Sequence, residues 1–471
     1  MDLSRSSLRM FLSKCGNAIL LFAGIVYFTR HISAYELGIF FLFQAFLGIL
    51  SIPADLGVRG ALEKRLSEGF ERSRLLGSAL VMKIATLSIV SIGILLARDH
   101  VNTYLGADLA VLLVIALVAT DLSQFYVYAV RGELRVGETA PIEFVNHFLW
   151  IGIGAVLVTV GFGVRGIIIG LISGAVVSLI WAYLRSNSGI GKPSIEHSKS
   201  LFAFSKYQTV TMIGGRVYSW LDIVILGLFL SQNYISAYEV AWQVSLLVVL
   251  VSKSIALTLF PQISRWSVEG ATAHMESTIS EAVYIALFFS IPALIGASVF
   301  ASEILQYIFG EEYTIASAVF IVLMIEKVIQ SVNDIIEQSV RALNRPDLAA
   351  RATIIAVSLN LILNPLLIVS VGFVGAAIAT TISWFVNTTL HTVYLLRFIS
   401  LDFKPHILGW YTVASLIMGS ALIAIKSFVP VTSAPLLILE IVVGVAVYIG
   451  ISAIIPDVRK RIIFPGLRLL V

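Results

Sequence analysis

Long apolar runs separated by short polar breaks recur along the whole chain. A membrane-spanning helix needs about 20 mostly apolar residues, so the pattern predicts about fourteen spans. The first runs from about Phe11 to Thr29, behind Arg5, Arg9 and Lys14. No small-x-small cleavage site follows it and many spans do, so it reads as a retained anchor rather than a signal peptide. Five more follow, from about Leu37 to Val58, Leu75 to Ala97, Leu109 to Val130, Thr139 to Val160 and Gly166 to Leu184. The break Arg185 to Ser200, RSNSGIGKPSIEHSKS, is rich in Ser and Gly and reads as a linker between halves. Six further spans are expected over about 202–230, 235–260, 279–301, 314–340, 349–371 and 374–396, and two over about 407–426 and 433–455. A basic tail with Arg459, Lys460 and Arg461 closes the chain. The expected organisation is a six-helix bundle over 1–184, a cytoplasmic linker over 185–201, a second six-helix bundle over 202–397, and a helix pair with its tail over 398–471.

One apolar run is interrupted on one side only. At about 100° per residue, Glu326, Lys327, Gln330, Asn333, Asp334, Glu337, Gln338 and Arg341 share an arc of roughly 140°, opposite Val, Ile and Ser. A polar stripe at membrane depth is costly unless it faces a wet cavity or finds partners, so it is expected to form one wall of a transport pathway. A soluble core helix with a solvated face is the bland alternative, and composition removes it. The chain has 471 residues, 58% hydrophobic and 13% charged, where soluble domains carry about 25% charged. Its mean hydropathy is +0.95. This is an all-α polytopic membrane protein.

The formal charge of +4 does not point to nucleic acid, because the basic residues are spread among the breaks. About 24 of the Lys and Arg fall in the termini and alternate loops of one side, and about 4 on the other: Arg30, Arg98, Arg165 and Lys426. Both termini are therefore expected in the cytoplasm, in an inner or plasma membrane. The single cysteine, Cys15, excludes an intrachain disulfide, and the seven histidines show no metal spacing.

The chain also echoes itself. Ile32-Ser33-Ala34-Tyr35-Glu36 recurs at Ile235 to Glu239, Arg131 to Arg135 is echoed at Arg341 to Arg345, and Val160-Gly161-Phe162 at Val371-Gly372-Phe373. The periods are collinear, which argues for duplicated halves. An even helix count in each makes the copies parallel, with a site expected between them near the midplane.

Several of these stretches resemble a family. TRHISAYELGIF, with Arg30 and Gly38, resembles the end of the first helix in prokaryotic polysaccharide exporters. DLGVRGALEKRLSE from Asp55 resembles their turn after helix two, LDIVILGLFLS with Asp222 the start of their second half, and Arg341 to Ser383 their helix eleven to twelve hairpin. The resemblance covers nearly the whole chain. It implies a Wzx-type flippase of the multidrug, oligosaccharidyl-lipid and polysaccharide exporter superfamily, with two helical bundles around a central cavity. It also implies a lipid-linked oligosaccharide as substrate, membrane lipids and polysaccharide assembly proteins as partners, and an extra helix pair associated with the substrate's hydrophobic tail.

No GxxxxGK[ST] loop, metal spacing or nucleophile elbow is present, so neither a cofactor nor a catalytic set is expected. What remains is the set of intramembrane charges. Arg216 and Lys327, each about midway along a span, are the leading substrate contacts, since an anionic headgroup would offset their desolvation. The alternative is pairing within the protein, Arg216 with Asp222 or Lys327 with Glu326. Lys83 and Lys253, near cytoplasmic helix ends, either line a cavity or snorkel. Gln124, Gln330, Asn333 and Gln338 would hydrate sugars, while Asp121, Asp222, Glu326 and Asp334 are candidates for coupling a proton or sodium ion, or else neutral packing groups. Glu143 and His147 form either a proton relay or a local hydrogen bond. Gly166, Gly170 and Gly174 form a ridge for close helix packing, and Pro53, Pro141, Pro292 and Pro365 are candidate bends.

The leading expectation is movement of a polyprenyl-(di)phosphate-linked oligosaccharide from the cytoplasmic to the outer leaflet. A cation-coupled multidrug exporter would favour an acidic cavity, and Arg216 and Lys327 count against it. A membrane glycosyltransferase or polymerase would need a sizeable external loop, and the longest here are only Arg98 to Asp108 and Glu303 to Tyr313.

Overall fold

The computed structural model describes residues 3–401, 404–455 and 459, with the backbone alone at 3–15, 207–208 and 210–219. Among them every regular element is helical. In chain order these are α1 (Leu3–His31), α2 (Ala34–Asp55), α3 (Val58–Ser67), α4 (Arg72–Leu96), α5 (Arg98–Leu105), α6 (Ala110–Gly132), α7 (Thr139–Thr159), α8 (Gly163–Arg185) and α9 (Ile195–Phe229). Then come α10 (Gln232–Ser245), α11 (Leu250–Glu269), α12 (Thr272–Ile304), α13 (Ser317–Ala342), α14 (Pro346–Val371), α15 (Phe373–Leu395), α16 (Pro405–Phe428) and α17 (Ala434–Ser452). Among the described residues eleven helices or merged helical segments are long and apolar enough to cross a membrane, or twelve if α10 and α11 are one bent span. The expected count was fourteen over the whole chain; α1 and α9 are further long helices, outside that count, whose side chains are described only in part.

By packing, the chain divides into two compact units, Met1–Ser236 and Ala237–Val471. The expected division lay earlier, in the Arg185–Ser200 break. Two features of the first unit account for the difference. The break is a strap rather than a free tether: the Glu133 carboxylate accepts from Asn187 N at 2.8 Å and from Ser188 Oγ at 2.6 Å. Further on, Gly191 N donates to Ser73 O and Ser194 N to Ser78 Oγ, both at 2.9 Å. Beyond the strap, α9 continues for 35 residues, about 50 Å at 1.5 Å per residue, and lies along α2. Glycines permit close approach here, Gly48 of α2 and Gly57 just past it toward α9, and Gly38 of α2 toward the start of α10. A Cβ on Gly57 would stand 2.4 Å from Ser205 O, on Gly48 2.5 Å from Trp220 Nε1, and on Gly38 1.9 Å from Gln232 O.

Local chemistry explains the helix ends near the charged residues. Asp55 closes α2, and Leu56 (φ 45°) and Gly57 (φ 72°) both turn left-handed before α3 begins. Such a break leaves carbonyls of α2 without intrahelical donors. Ala54 O is met by Lys83 Nζ at 3.2 Å and by Thr86 Oγ1 at 2.7 Å. The expected glycine ridge packs α8 on α7, where Cβ atoms on Gly170 and Gly174 would lie 2.4 Å from Trp150 O and Asn146 O.

In the second unit the expected helix over about 235–260 is two, α10 and α11, bent by 54°. The bend is not at a proline. Residues 247, 248 and 250 are held by i to i+3 bonds, and the Ser245 hydroxyl donates to Trp242 O at 2.7 Å, a local bond that competes with the helical ladder. Helices α12, α13, α16 and α17 bury a large aliphatic and aromatic core that includes Phe288, Phe300, Tyr411 and Tyr448.

Candidate functional site

The first unit buries four charges together. Lys83, with no solvent exposure, donates to Asp55 Oδ1 at 2.9 Å and to Asp121 Oδ1 at 2.6 Å. Arg59 Nε pairs with Asp55 at 2.9 Å, and its Nη2 lies 3.9 Å from Asp121. Two cations thus meet two carboxylates from α2, α3, α4 and α6, and the cluster is formally neutral. Burying any one of these charges alone would cost several kcal/mol. Lys83 therefore neither snorkels nor stands free toward a cavity here; its charge is taken up by Asp55 and by Asp121, one of the candidate coupling residues. The sequence reading missed Asp55 and Arg59 as members, although their i, i+4 spacing around the helix break is a visible signal.

Farther along α6, half-buried Gln124 stands one turn from Tyr128, whose ring lies 5.0 Å from the Arg131 guanidinium carbon. Arg131 pairs with Glu143 at 2.5 Å. The expected hydrogen bond between Glu143 and His147 is therefore replaced, and buried His147 Nδ1 finds no partner among the described residues. Asp222 on α9 is buried. The side chain of Arg216 lies outside the described residues.

In the second unit the polar stripe of α13 is sunk into protein over its first half. Glu326, Lys327 and Asn333 have no solvent exposure, and Gln330 is 6% exposed. Lys327 Nζ lies 2.6 Å from Glu326, donates to Gln330 Oε1 at 3.1 Å, and sits 3.5 Å from the centre of the Trp242 ring. An aromatic face stabilises a desolvated ammonium by about 2 kcal/mol, so carboxylate, amide and indole together hold this cation. Pairing within the protein, the alternative for Lys327, is what the geometry displays. Asp334 Oδ2 accepts from Ser252 Oγ at 2.9 Å on α11, and the adjacent Lys253 is exposed but close enough to act on Asp334. Gln338 is half-buried, and Glu337 pairs with the exposed Arg341 at the helix end.

Beside this stripe lies an apolar cavity of about 390 Å³. Phe320 and Met324 of α13, Val244 of α10, Phe300 of α12, Met418 of α16 and Tyr448 of α17 are among its walls. Met324 is one turn from Lys327, and Val244 is two residues from Trp242. Walls of the apolar chamber and the buried cation thus lie within a turn of each other along α13 and α10.

An all-helical, multi-pass membrane protein whose two units each bury a compensated charge cluster has the build of a carrier. The comparisons then give the family. Residues 28–318 match the model of a family described as polysaccharide biosynthesis protein. The chain belongs to that family, as the resemblance implied. It is 45% identical over 460 residues, 98% of each chain, to the probable low-salt glycan biosynthesis flippase Agl15 of Haloferax volcanii. To the probable flippase AglR of the same organism it is 27% identical over 428 residues, 90% of each chain. Among solved structures its fold is similar to the lipid II flippase MurJ in an inward closed conformation, with TM-score 0.80 over 94% of this chain and 98% of that one, at 19% identity.

Proposed function

We propose that this protein flips a polyprenyl-phosphate- or polyprenyl-diphosphate-linked oligosaccharide from the cytoplasmic to the outer leaflet for glycan assembly, by alternating access, as a carrier and not an enzyme. The observation that carries the reading lies in the second unit, where Met324, a wall of an apolar cavity of about 390 Å³, stands one turn along α13 from the buried Lys327. A lipid-linked sugar phosphate has the matching layout, a hydrocarbon tail joined to an anion joined to a polar glycan. The 45% identity over 98% of the chain to a probable glycan biosynthesis flippase supports the same reading.

In this reading Lys327 engages the phosphate once Glu326 gives it up, so binding of a proton or sodium ion at Glu326 would couple to substrate capture. Gln330, Asn333, Gln338 and Gln124 hydrate the sugars, and Arg216 supplies a second cation. Asp121, Asp222 and Asp334 are the remaining coupling candidates. Both termini lie in the cytoplasm, and the membrane is the plasma membrane. The test is reconstitution of purified protein with a fluorescent lipid-linked oligosaccharide, followed by quenching from outside. Exchange of the label between leaflets at protein-dependent rates is expected. Label that stays in its leaflet while the protein is folded would overturn the reading.

A further inference from the structure

His391 was not singled out by its spacing, yet its position is specified by two neighbouring helices. It lies on α15, without solvent exposure, where that helix packs on α13 and α14. Its Nδ1 is 2.9 Å from Asn333 Oδ1, and its Nε2 is 3.3 Å from Ala349 O. The orientation of the Asn333 amide is constrained independently, because its Nδ2 donates to Glu337 Oε2 at 3.2 Å. Turning the amide over would set its oxygen against the Glu337 carboxylate, which Arg341 already pairs. Asn333 therefore presents an acceptor to the ring, and the Ala349 carbonyl is an acceptor by nature. A neutral imidazole has one N–H and one lone pair, so only the imidazolium donates to both oxygens.

We infer that His391 is a proton-binding site, holding one proton more than a neutral imidazole while α13, α14 and α15 are packed in this arrangement. The charged groups that face it are few. From α13 these are Glu337, which reaches it through the Asn333 amide, and Arg341, itself paired with Glu337. From α14 there is only the Ala349 carbonyl, Asp347 being bonded to Arg345 and Arg351 being exposed. On α15, one turn away, Asn387 is neutral. Asp334, next to Asn333, is turned to Ser252.

Release removes the Nε2 proton first, because that contact is the longer and Ala349 O keeps the Thr353 hydroxyl at 3.1 Å as donor. The Nε2 proton passes to water, and the imidazole left behind still donates from Nδ1 to Asn333. A shift of α13 against α15 that withdrew Asn333 would likewise expel a proton. Proton occupancy and the packing of α13 are then linked, which identifies the proton as a coupled ion. That last consequence rests on the carrier reading; the site itself does not.

The experiment uses the full chain in lipid nanodiscs with ¹⁵N-labelled histidine. Loss of one imidazole signal in His391→Gln assigns the residue. The expected result is that both of its nitrogens are protonated near pH 6 and that one loses its proton on titration toward about pH 9. Asn333→Asp, which removes the donor to Glu337 and so sets a second carboxylate beside it, adds negative charge next to the ring and should shift that titration upward; this variant serves if His391→Gln does not fold. In proteoliposomes the dependence of flipping on an imposed pH gradient should be lost in His391→Gln. A His391 that remains a neutral single tautomer from about pH 5 to 9 would overturn the inference. Wild-type protein that flips no lipid-linked oligosaccharide counts against the carrier reading and leaves the titration to decide the site.

Discussion

Replacing Lys83 by Met tests whether the buried cluster of the first unit is a structural lock or a substrate contact. Lys83 is enclosed, with Asp55, Asp121 and the Ala54 carbonyl all within 3.2 Å of its ammonium. The thioether fills a similar length but gives no proton, so two carboxylates are left to Arg59, which stands 2.9 Å from one and 3.9 Å from the other. Removing one partner of a buried pair costs about 3–5 kcal/mol. Unfolding should then be favoured by roughly two to three powers of ten, at 1.4 kcal/mol for each. Combining Lys83→Met with Asp121→Asn returns the cluster to one cation and one anion and should recover most of that loss. The assay is thermal and denaturant unfolding of detergent-purified protein, with the amount of folded protein in membranes beside it. A single variant as stable as wild type, or a double variant no better than the single, would refute the lock. Lost flipping at full stability would assign Lys83 to the substrate instead.

Lys327→Ala should impair flipping per folded molecule, by an amount equivalent to about 2–5 kcal/mol of lost interaction with a buried partner; Glu326→Gln, which leaves Lys327 with Gln330 and Trp242 but without its counter-charge, should instead retain phosphate binding and lose dependence on the coupling ion. Reporter fusions after Ser200 and after Gly310 should lie in opposite compartments, and the same compartment for both would sink the proposed topology. Gly38→Ala places a methyl 1.9 Å from a backbone oxygen at the start of α10, so it should destabilise the first unit more than Gly93→Ala, where a Cβ meets nothing within 4 Å; equal melting temperatures would contradict the packing of α2 against the start of α10. Because the described charge clusters are compensated, flipping should respond to a potassium-valinomycin potential chiefly through the substrate, with about 2.3 kcal/mol for each charge crossing 100 mV. Flipping that ignored the potential and followed only a proton or sodium gradient would show that the headgroup charge does not drive the step.

Apolar run length made the membrane class legible, because water and hydrocarbon sort side chains at the scale of a whole helix. The polar face of α13 was legible for the same reason, since periodicity reports which residues share a side. Periodicity does not report what stands opposite. Glu326, Gln330 and Trp242 compensate Lys327 from three directions, and only the first two are near it in sequence. His391 carries no pattern of its own, for its meaning comes from Asn333 and Ala349, 58 and 42 residues away. The Arg185–Ser200 break misled in another way. Ser and Gly suit a flexible linker, but they equally suit a strap that must pass close to a helix, as Gly191 does over Gly77, where a Cβ would stand 2.0 Å from its oxygen. Composition cannot choose between the two, whereas one buried acid can: Glu133 takes three donors from residues 186–188, and releasing the strap would leave its charge with Arg135 alone, a loss of hydrogen bonds that a largely buried carboxylate resists.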